Sequence, residues 1–162
     1  MRSPGARDAR GLDLDEFIAN LKAHYVDTPW ASSAVAPAGG EFDAEGNLTG
    51  ELNFDIWDGW VEKWAGARTW AVFMAVGESF RGEPMGTPRF NRMVGQWISA
   101  WVDHIEAQGI RADQLALLLV DEPTRPEQDE IILTWARAIS AAEPEVVIWE
   151  DPCHADPYAA NQ

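Results

Sequence analysis

Two adjacent carboxylic acids, Asp121 and Glu122, follow an apolar run in the stretch LALLLVDEPT (115–124). The run predicts a buried strand, so both acids would lie where that strand ends. Two kinds of chemistry use acids in this position. One is the magnesium and water site of an ATPase, and the other is the acid end of a sugar-hydrolysing barrel. The pair is therefore a candidate catalytic site.

A structural interpretation competes with both. Acids just before a helix stabilise its N-terminus through the exposed N–H groups and the helix dipole. Pro126 suits the first turn of a helix that would start at this point. On the ten letters alone, this interpretation stays open beside the catalytic one.

Hydrophobic periodicity predicts four helices and four strands in alternation. The longest helix carries an unbroken apolar stripe and is followed by Gly109, which is typical of a helix end. The strands are short apolar runs, one of them stopping at Pro29. The predicted helices cover residues 13–24, 55–64, 87–108 and 126–142, and the predicted strands cover 25–30, 69–76, 115–121 and 145–149.

Strands that are buried on both faces and alternate with amphipathic helices favour parallel pairing with right-handed crossovers. Their spacing is that of the repeating unit of a βα barrel, which takes about 250 residues for eight units. We therefore predict an α/β fold, a partial (β/α)8 TIM barrel of about four βα units with parallel strands. Residues 1–162 would form one such domain, with residues 1–12 disordered.

The composition excludes several classes of partner. The formal net charge of −15 argues against nucleic acid and anionic membrane surfaces. The single cysteine, Cys153, excludes an internal disulfide and a cysteine-rich zinc site. No apolar run is long enough to span a membrane, the first residues do not resemble a secretory signal, and the histidines lack metal-ligand spacing. We expect no metal and no cofactor, and the compartment stays open.

The ATPase interpretation needs a phosphate cradle that the chain lacks. GESFRG (77–82) follows a predicted strand, but Glu83 and Pro84 stand where Lys and Ser or Thr should follow. Glu78 and Glu83 would repel phosphates. The LSGGQ signature of ABC-type ATPases is also absent. A P-loop ATPase is therefore disfavoured.

In a βα barrel the active site lies at the carboxyl ends of the strands, where Asp121 and Glu122 are predicted. The chain resembles glycoside hydrolase family 123 and its less characterised relatives, a set labelled DUF4091. The resemblance covers about residues 14–157 and only the middle of that family's catalytic barrel. It rests on HYVDTPW, FDAEGNLTGELNFDIWDGWVEKW, GARTWAVFM, LLLVDEP and VVIWEDP, in this order.

The resemblance implies substrate-assisted retaining hydrolysis of N-acetyl-β-hexosaminides, with N-acetylgalactosaminides as the expected substrates, and a place in carbohydrate metabolism. Such enzymes use the 2-acetamido oxygen of the substrate as nucleophile. Glu122 would be the general acid and base, and Asp121 would orient the acetamido group. An adjacent carboxylate raises the pKa of its neighbour, which keeps an acid protonated.

Four further residues are candidates for carbohydrate binding. Trp149 and Glu150 end the last predicted strand, and Trp30 ends the first, so either indole ring would suit the apolar face of a sugar. Glu78, after the second strand, would bind hydroxyl groups. Both tryptophans suit a core role equally well, and Glu78 fits an ordinary loop acid better.

Two alternatives accompany this interpretation. One is another retaining glycosidase with Glu122 as acid and a nucleophile on a later strand. The other is a non-catalytic carbohydrate-binding fragment of a barrel. Because half a barrel leaves apolar surface exposed, we expect the chain to self-associate, and we expect the fragment by itself to be inactive.

Overall fold

The computed structural model describes residues 14–153, so the prediction for residues 1–12 lies outside the described residues. Four helices dominate this part of the chain. They are α1 (Leu14–Ala23), α2 (Asp55–Lys63), α3 (Pro88–Ala107) and α4 (Pro126–Ala142). There are also two short 3-10 helices. One, Ser33–Val35, directly follows the first strand, and the other, Ala112–Gln114, directly precedes the strand that starts at Leu115. The strands are β1 (Trp30–Ser32), β2 (Ala38–Gly39), β3 (Leu52–Asn53), β4 (Trp70–Phe73), β5 (Ser79–Phe80), β6 (Glu83–Pro84), β7 (Leu115–Leu118) and β8 (Val147–Trp149).

Four of the strands form one parallel sheet in the order β1-β4-β7-β8, which is also their order along the chain. The remaining strands form two small antiparallel pairs, β2 with β3 and β5 with β6, within the loops that follow β1 and β4. The predicted α/β class with parallel strands is therefore confirmed. Each connection between successive strands of this sheet moves to the next position in the same direction. Right-handed crossovers of this kind place the connecting helices, α2, α3 and α4, on one face of the sheet.

The strand register separates the two faces of this sheet. Val72, Leu117 and Ile148 form a row that belongs to the hydrophobic core shared with the helices. The adjacent row, Trp30, Ala71, Ala116 and Val147, points to the opposite face, because neighbouring residues of a strand alternate in direction. We call this opposite face, formed by Trp30, Ser32, Ala71, Phe73, Ala116, Leu118, Val147 and Trp149, the open face.

The longest helix, α3, follows the sequence prediction closely. The Thr87 hydroxyl accepts a hydrogen bond from the N–H of Phe90 at 3.0 Å, and Pro88 occupies the first turn, where its missing N–H costs nothing. Gly109 follows the helix with φ +81°, a conformation that favours glycine. All residues of the predicted stripe are buried, namely Phe90, Met93, Val94, Trp97, Ile98, Trp101, Val102 and Ile105.

The prediction for the first strand was wrong in its bounds. Residues 25–29 are not a strand, because Tyr25 adopts φ +62° and the N–H of Val26 bonds back to Leu21 O at 3.1 Å, closing the end of α1. The strand begins at Trp30, after a proline that has no N–H to donate. Trp30 therefore starts β1 instead of ending it.

The second predicted strand is shorter than residues 69–76. It ends at Phe73, and Ala75 turns to φ +52°. No regular strand accommodates a positive φ angle. Irregular pairing with the neighbouring strand continues beyond β4. The N–H groups of Met74 and Val76 donate to Leu118 O and Leu119 O at 2.8 and 2.9 Å. The chain leaves the pleat at this edge of the sheet.

Candidate active site

The carboxyl ends of the four parallel strands meet at one edge of the sheet, which we call the rim. Asp121 and Glu122 lie in the loop between β7 and α4, and both side chains are exposed. Glu122 has φ +44°. This is the left-handed region, where a residue with a Cβ is disfavoured by about 1 kcal/mol. Surrounding interactions must therefore hold this backbone in place.

Three hydrogen bonds fasten this loop to the segment that follows β8. The N–H of Leu119 donates to Glu150 Oε1 at 3.2 Å, and the N–H of Glu122 donates to Asp151 Oδ1 at 3.1 Å. The N–H of Cys153 donates to Pro123 O at 3.0 Å. The loop and the segment thus run side by side at the rim.

The structural alternative, that the two acids stabilise the start of α4, finds no support in this geometry. The helix begins at Pro126, and the acids of its first turn are Glu127 and Asp129. Gln128 Oε1 accepts from the N–H of Thr124 at 3.0 Å, so a different side chain organises the approach to the helix. Asp121 and Glu122 lie five and four residues before Pro126, and so outside the first turn, where the helix dipole acts most strongly.

Glu150 points into the protein. Its carboxylate accepts from Leu119, and its second oxygen, Oε2, is buried with no hydrogen-bond partner among the described residues. Burial raises the pKa of Glu150 to about 7, and the negative charges of Asp151 and Asp129 raise it further. The backbone N–H groups of Leu119 and Val120 act in the opposite direction and lower the pKa. Glu150 was predicted to bind substrate, but its carboxylate contacts the backbone under the loop.

Trp149 and Trp30 lie on the open face. Trp149 ends β8 at the rim, and Trp30 starts β1 at the other end of the sheet. Their rings nonetheless meet across the sheet, edge to face, with centroids 5.1 Å apart. Trp30 stays 50% exposed and Trp149 stays 42% exposed, so both rings remain accessible. A cavity of about 210 Å³ lies against these rings, with Ala71 and Ala116 among its lining residues.

Glu78 lies in the loop after β4 and is exposed, as its predicted position at the rim requires. Its main-chain oxygen accepts from the N–H of Met85 at 2.9 Å, which closes the loop that contains β5 and β6. This contact involves only the main chain of Glu78, so binding of hydroxyl groups by its exposed carboxylate stays a prediction.

Sequence reasoning missed the residues that join the loops after β1 and β4. Arg89 Nη1 pairs with Glu83 Oε2 at 2.7 Å, and Arg89 also donates to the main-chain oxygens of Asp43 and Ala44. The hydroxyl of Thr87 and the guanidinium of Arg89 lower the pKa of Glu83. No periodicity signals such bonds, because their acceptors are main-chain carbonyls more than forty residues away.

Two kinds of feature are absent from the part of the chain that the structure describes. Within residues 14–153, no group of three or more His, Cys, Asp and Glu side chains has the geometry to hold a metal ion. No helix in that range is long and apolar enough to cross a membrane.

The sequence matches no protein-family model, and no curated protein is significantly similar to it. The glycoside hydrolase resemblance therefore rests on the motifs in the sequence, and what it implies is a proposal.

Proposed function

We propose that the chain is part of a glycoside hydrolase barrel that acts on N-acetyl-β-hexosaminides, with Asp121 and Glu122 at its catalytic centre. The observation that carries the proposal is the position of these two acids. They are exposed at the carboxyl end of an inner strand of a parallel sheet, on a loop that three hydrogen bonds hold to the neighbouring strand's extension. βα barrels carry their active sites at this edge.

In the proposed reaction, the acetamido oxygen of the substrate attacks the anomeric carbon while the bond to the leaving oxygen breaks. Glu122 gives its proton to the leaving oxygen, and Asp121 accepts a hydrogen bond from the acetamido N–H as the oxazolinium ring closes. Glu122 then takes a proton from water, which attacks the same carbon and reopens the ring. The sugar keeps its anomeric configuration, and both acids return to their starting states.

The sequential strand order, with every crossover running in one direction, supports a sheet that curves toward a barrel. A closed barrel has no free edges, whereas an open sheet leaves two. In this chain both edge strands, β1 and β8, carry exposed apolar residues of the open face, Trp30, Val147 and Trp149. These residues would face the interior of a complete barrel.

The proposal is tested by binding of a thiazoline-type mimic of the oxazolinium ion, measured by titration calorimetry on a protein in which this chain is completed to a whole barrel. Asp121→Asn should weaken binding about tenfold or more, because a charged hydrogen bond to the ring N–H is worth about 1.5–3 kcal/mol. Glu127→Gln, an exposed acid of the first turn of α4, is the matched control and should bind like the wild type. If the wild type does not bind the mimic, or if both variants bind equally, the proposal fails.

A second function, carbohydrate binding without catalysis, is favoured by the ring pair of Trp30 and Trp149. Exposed indole rings beside a small apolar cavity suit the apolar face of a sugar. In that case Trp149→Ala should abolish binding of N-acetylhexosamines in calorimetry, whereas Asp121→Asn should not. Ile56→Ala, which changes an exposed apolar residue of α2, is the control.

A further inference from the structure

We propose that Asp151 and Glu150 are positioning residues, which hold the backbone of the loop 119–123 so that Asp121 and Glu122 face the rim. This inference rests on the proposed function for its catalytic meaning, but the positioning itself is measured without turnover. It assigns to Glu150 a role different from the substrate contact expected from the sequence.

Asp151 acts on the backbone at the most constrained point of the loop. Its Oδ1 accepts from the N–H of Glu122, the residue with φ +44°. A residue in this conformation relaxes to a more favourable one unless its backbone groups are held. Because the backbone conformation sets the direction of the Cα–Cβ bond, the Asp151 acceptor fixes the point and direction in which the Glu122 side chain leaves the loop.

Glu150 acts at the start of the loop. Its Oε1 accepts from the N–H of Leu119, the first residue after β7, whose side chain is fully buried. The pleated pairing of β7 with β8 ends one residue earlier, where Leu118 is the partner of Trp149. The Glu150 side chain thus adds one hydrogen bond beyond the last β7–β8 pair. This bond fixes Leu119 as the residue at which the loop leaves the sheet.

Two carboxylates act on the Glu150 carboxyl, one from the adjacent residue and one from α4. Asp129 lies on the first turn of α4, is only 5% exposed, and together with Asp151 raises the pKa of Glu150. Asp121 and Glu122 are exposed on the loop itself. Ionisation of Glu150 therefore places a buried negative charge beside Leu119, which makes the loop sensitive to pH.

The experiment uses hydrogen exchange of backbone amides in the full chain, followed by NMR. Asp151→Ala should speed exchange at the Glu122 amide about tenfold, since a hydrogen bond to a charged acceptor is lost. Asp151→Asn keeps an acceptor oxygen at the same place and should keep most of the protection. Glu145→Ala, an exposed acid before β8, is the control and should change nothing at the loop.

A second measurement covers the case in which Asp151→Ala does not fold. In the wild type, the amide signals of Leu119 and Val120 should titrate together near neutral pH, and Glu150→Gln should abolish that titration. Unchanged exchange at Glu122 in Asp151→Ala, equal losses in Asp151→Ala and Asp151→Asn, or a Leu119 signal indifferent to pH would each overturn the inference. A chain that fails to bind the thiazoline mimic but passes these tests would lose the proposed function and keep the positioning role.

Discussion

Replacing Glu150 by glutamine tests how the rim is built, and the expected effect depends on pH. In the folded chain the pKa of Glu150 is raised to about 7 from an ordinary value of 4.5. The folded state therefore keeps a proton that the unfolded chain releases at lower pH. Between these two values the unfolded state binds fewer protons, so the stability contributed by this group falls as pH rises and stays low above neutral pH.

The size of the effect follows from the same two values. A pKa difference of one unit between the folded and unfolded states corresponds to about 1.36 kcal/mol of folding free energy. The rise in the pKa of Glu150 therefore corresponds to roughly 3 kcal/mol at most. Glu150 is only partly buried. Solvent therefore reduces that figure, and we expect about 1–2 kcal/mol. Glutamine has the shape of protonated glutamic acid and does not ionise, so Glu150→Gln should remove this loss.

Urea denaturation of the wild type and of Glu150→Gln at pH 5, 6, 7 and 8 measures the difference in free energy of unfolding. The two proteins should be of similar stability at pH 5, and the variant should become more stable by about 1–2 kcal/mol at pH 8. Glu145→Gln, in the exposed segment before β8, should follow the wild type at every pH. A difference that is constant with pH, or that grows toward acid pH, would refute the reasoning.

Three further predictions follow from the rim, the open face and the core. In a protein whose barrel is complete, Glu122→Gln should slow hydrolysis of substrates with poor leaving groups far more than of activated aryl glycosides, whereas Asp121→Asn should slow both; equal losses that track the melting temperatures would contradict the assignment. The chain should self-associate in sizing chromatography, and the double change Trp30→Ser and Trp149→Ser should shift it toward monomer; a sharp wild-type monomer peak would exclude an exposed half barrel. The Trp101 ring is fully buried. Trp101→Ala should therefore cost about 3–5 kcal/mol in urea denaturation, and a loss below about 1 kcal/mol would contradict the packing.

Two features of the fold were predictable because they depend on neighbours along the chain. The stripe of α3 has the helical period over its whole length, and the Thr87 cap and Gly109 mark its ends locally. The bounds of α4, Pro126–Ala142, were predicted for the same reason. Alternation of these helices with apolar runs was sufficient for the parallel sheet, because a right-handed crossover leaves few other arrangements.

The rim was beyond sequence reasoning because its contacts join residues distant along the chain. Letters 149–151 predict three side chains at a strand end, but not which of them faces solvent. The tertiary structure turns Glu150 under Leu119, brings Asp151 to the N–H of Glu122, and leaves Trp149 on the open face. Beyond β8, strand alternation no longer decides which way a side chain points. The side chains of Glu150 and Asp151 turn toward the backbone N–H groups of Leu119 and Glu122, which lie about thirty residues earlier in the chain.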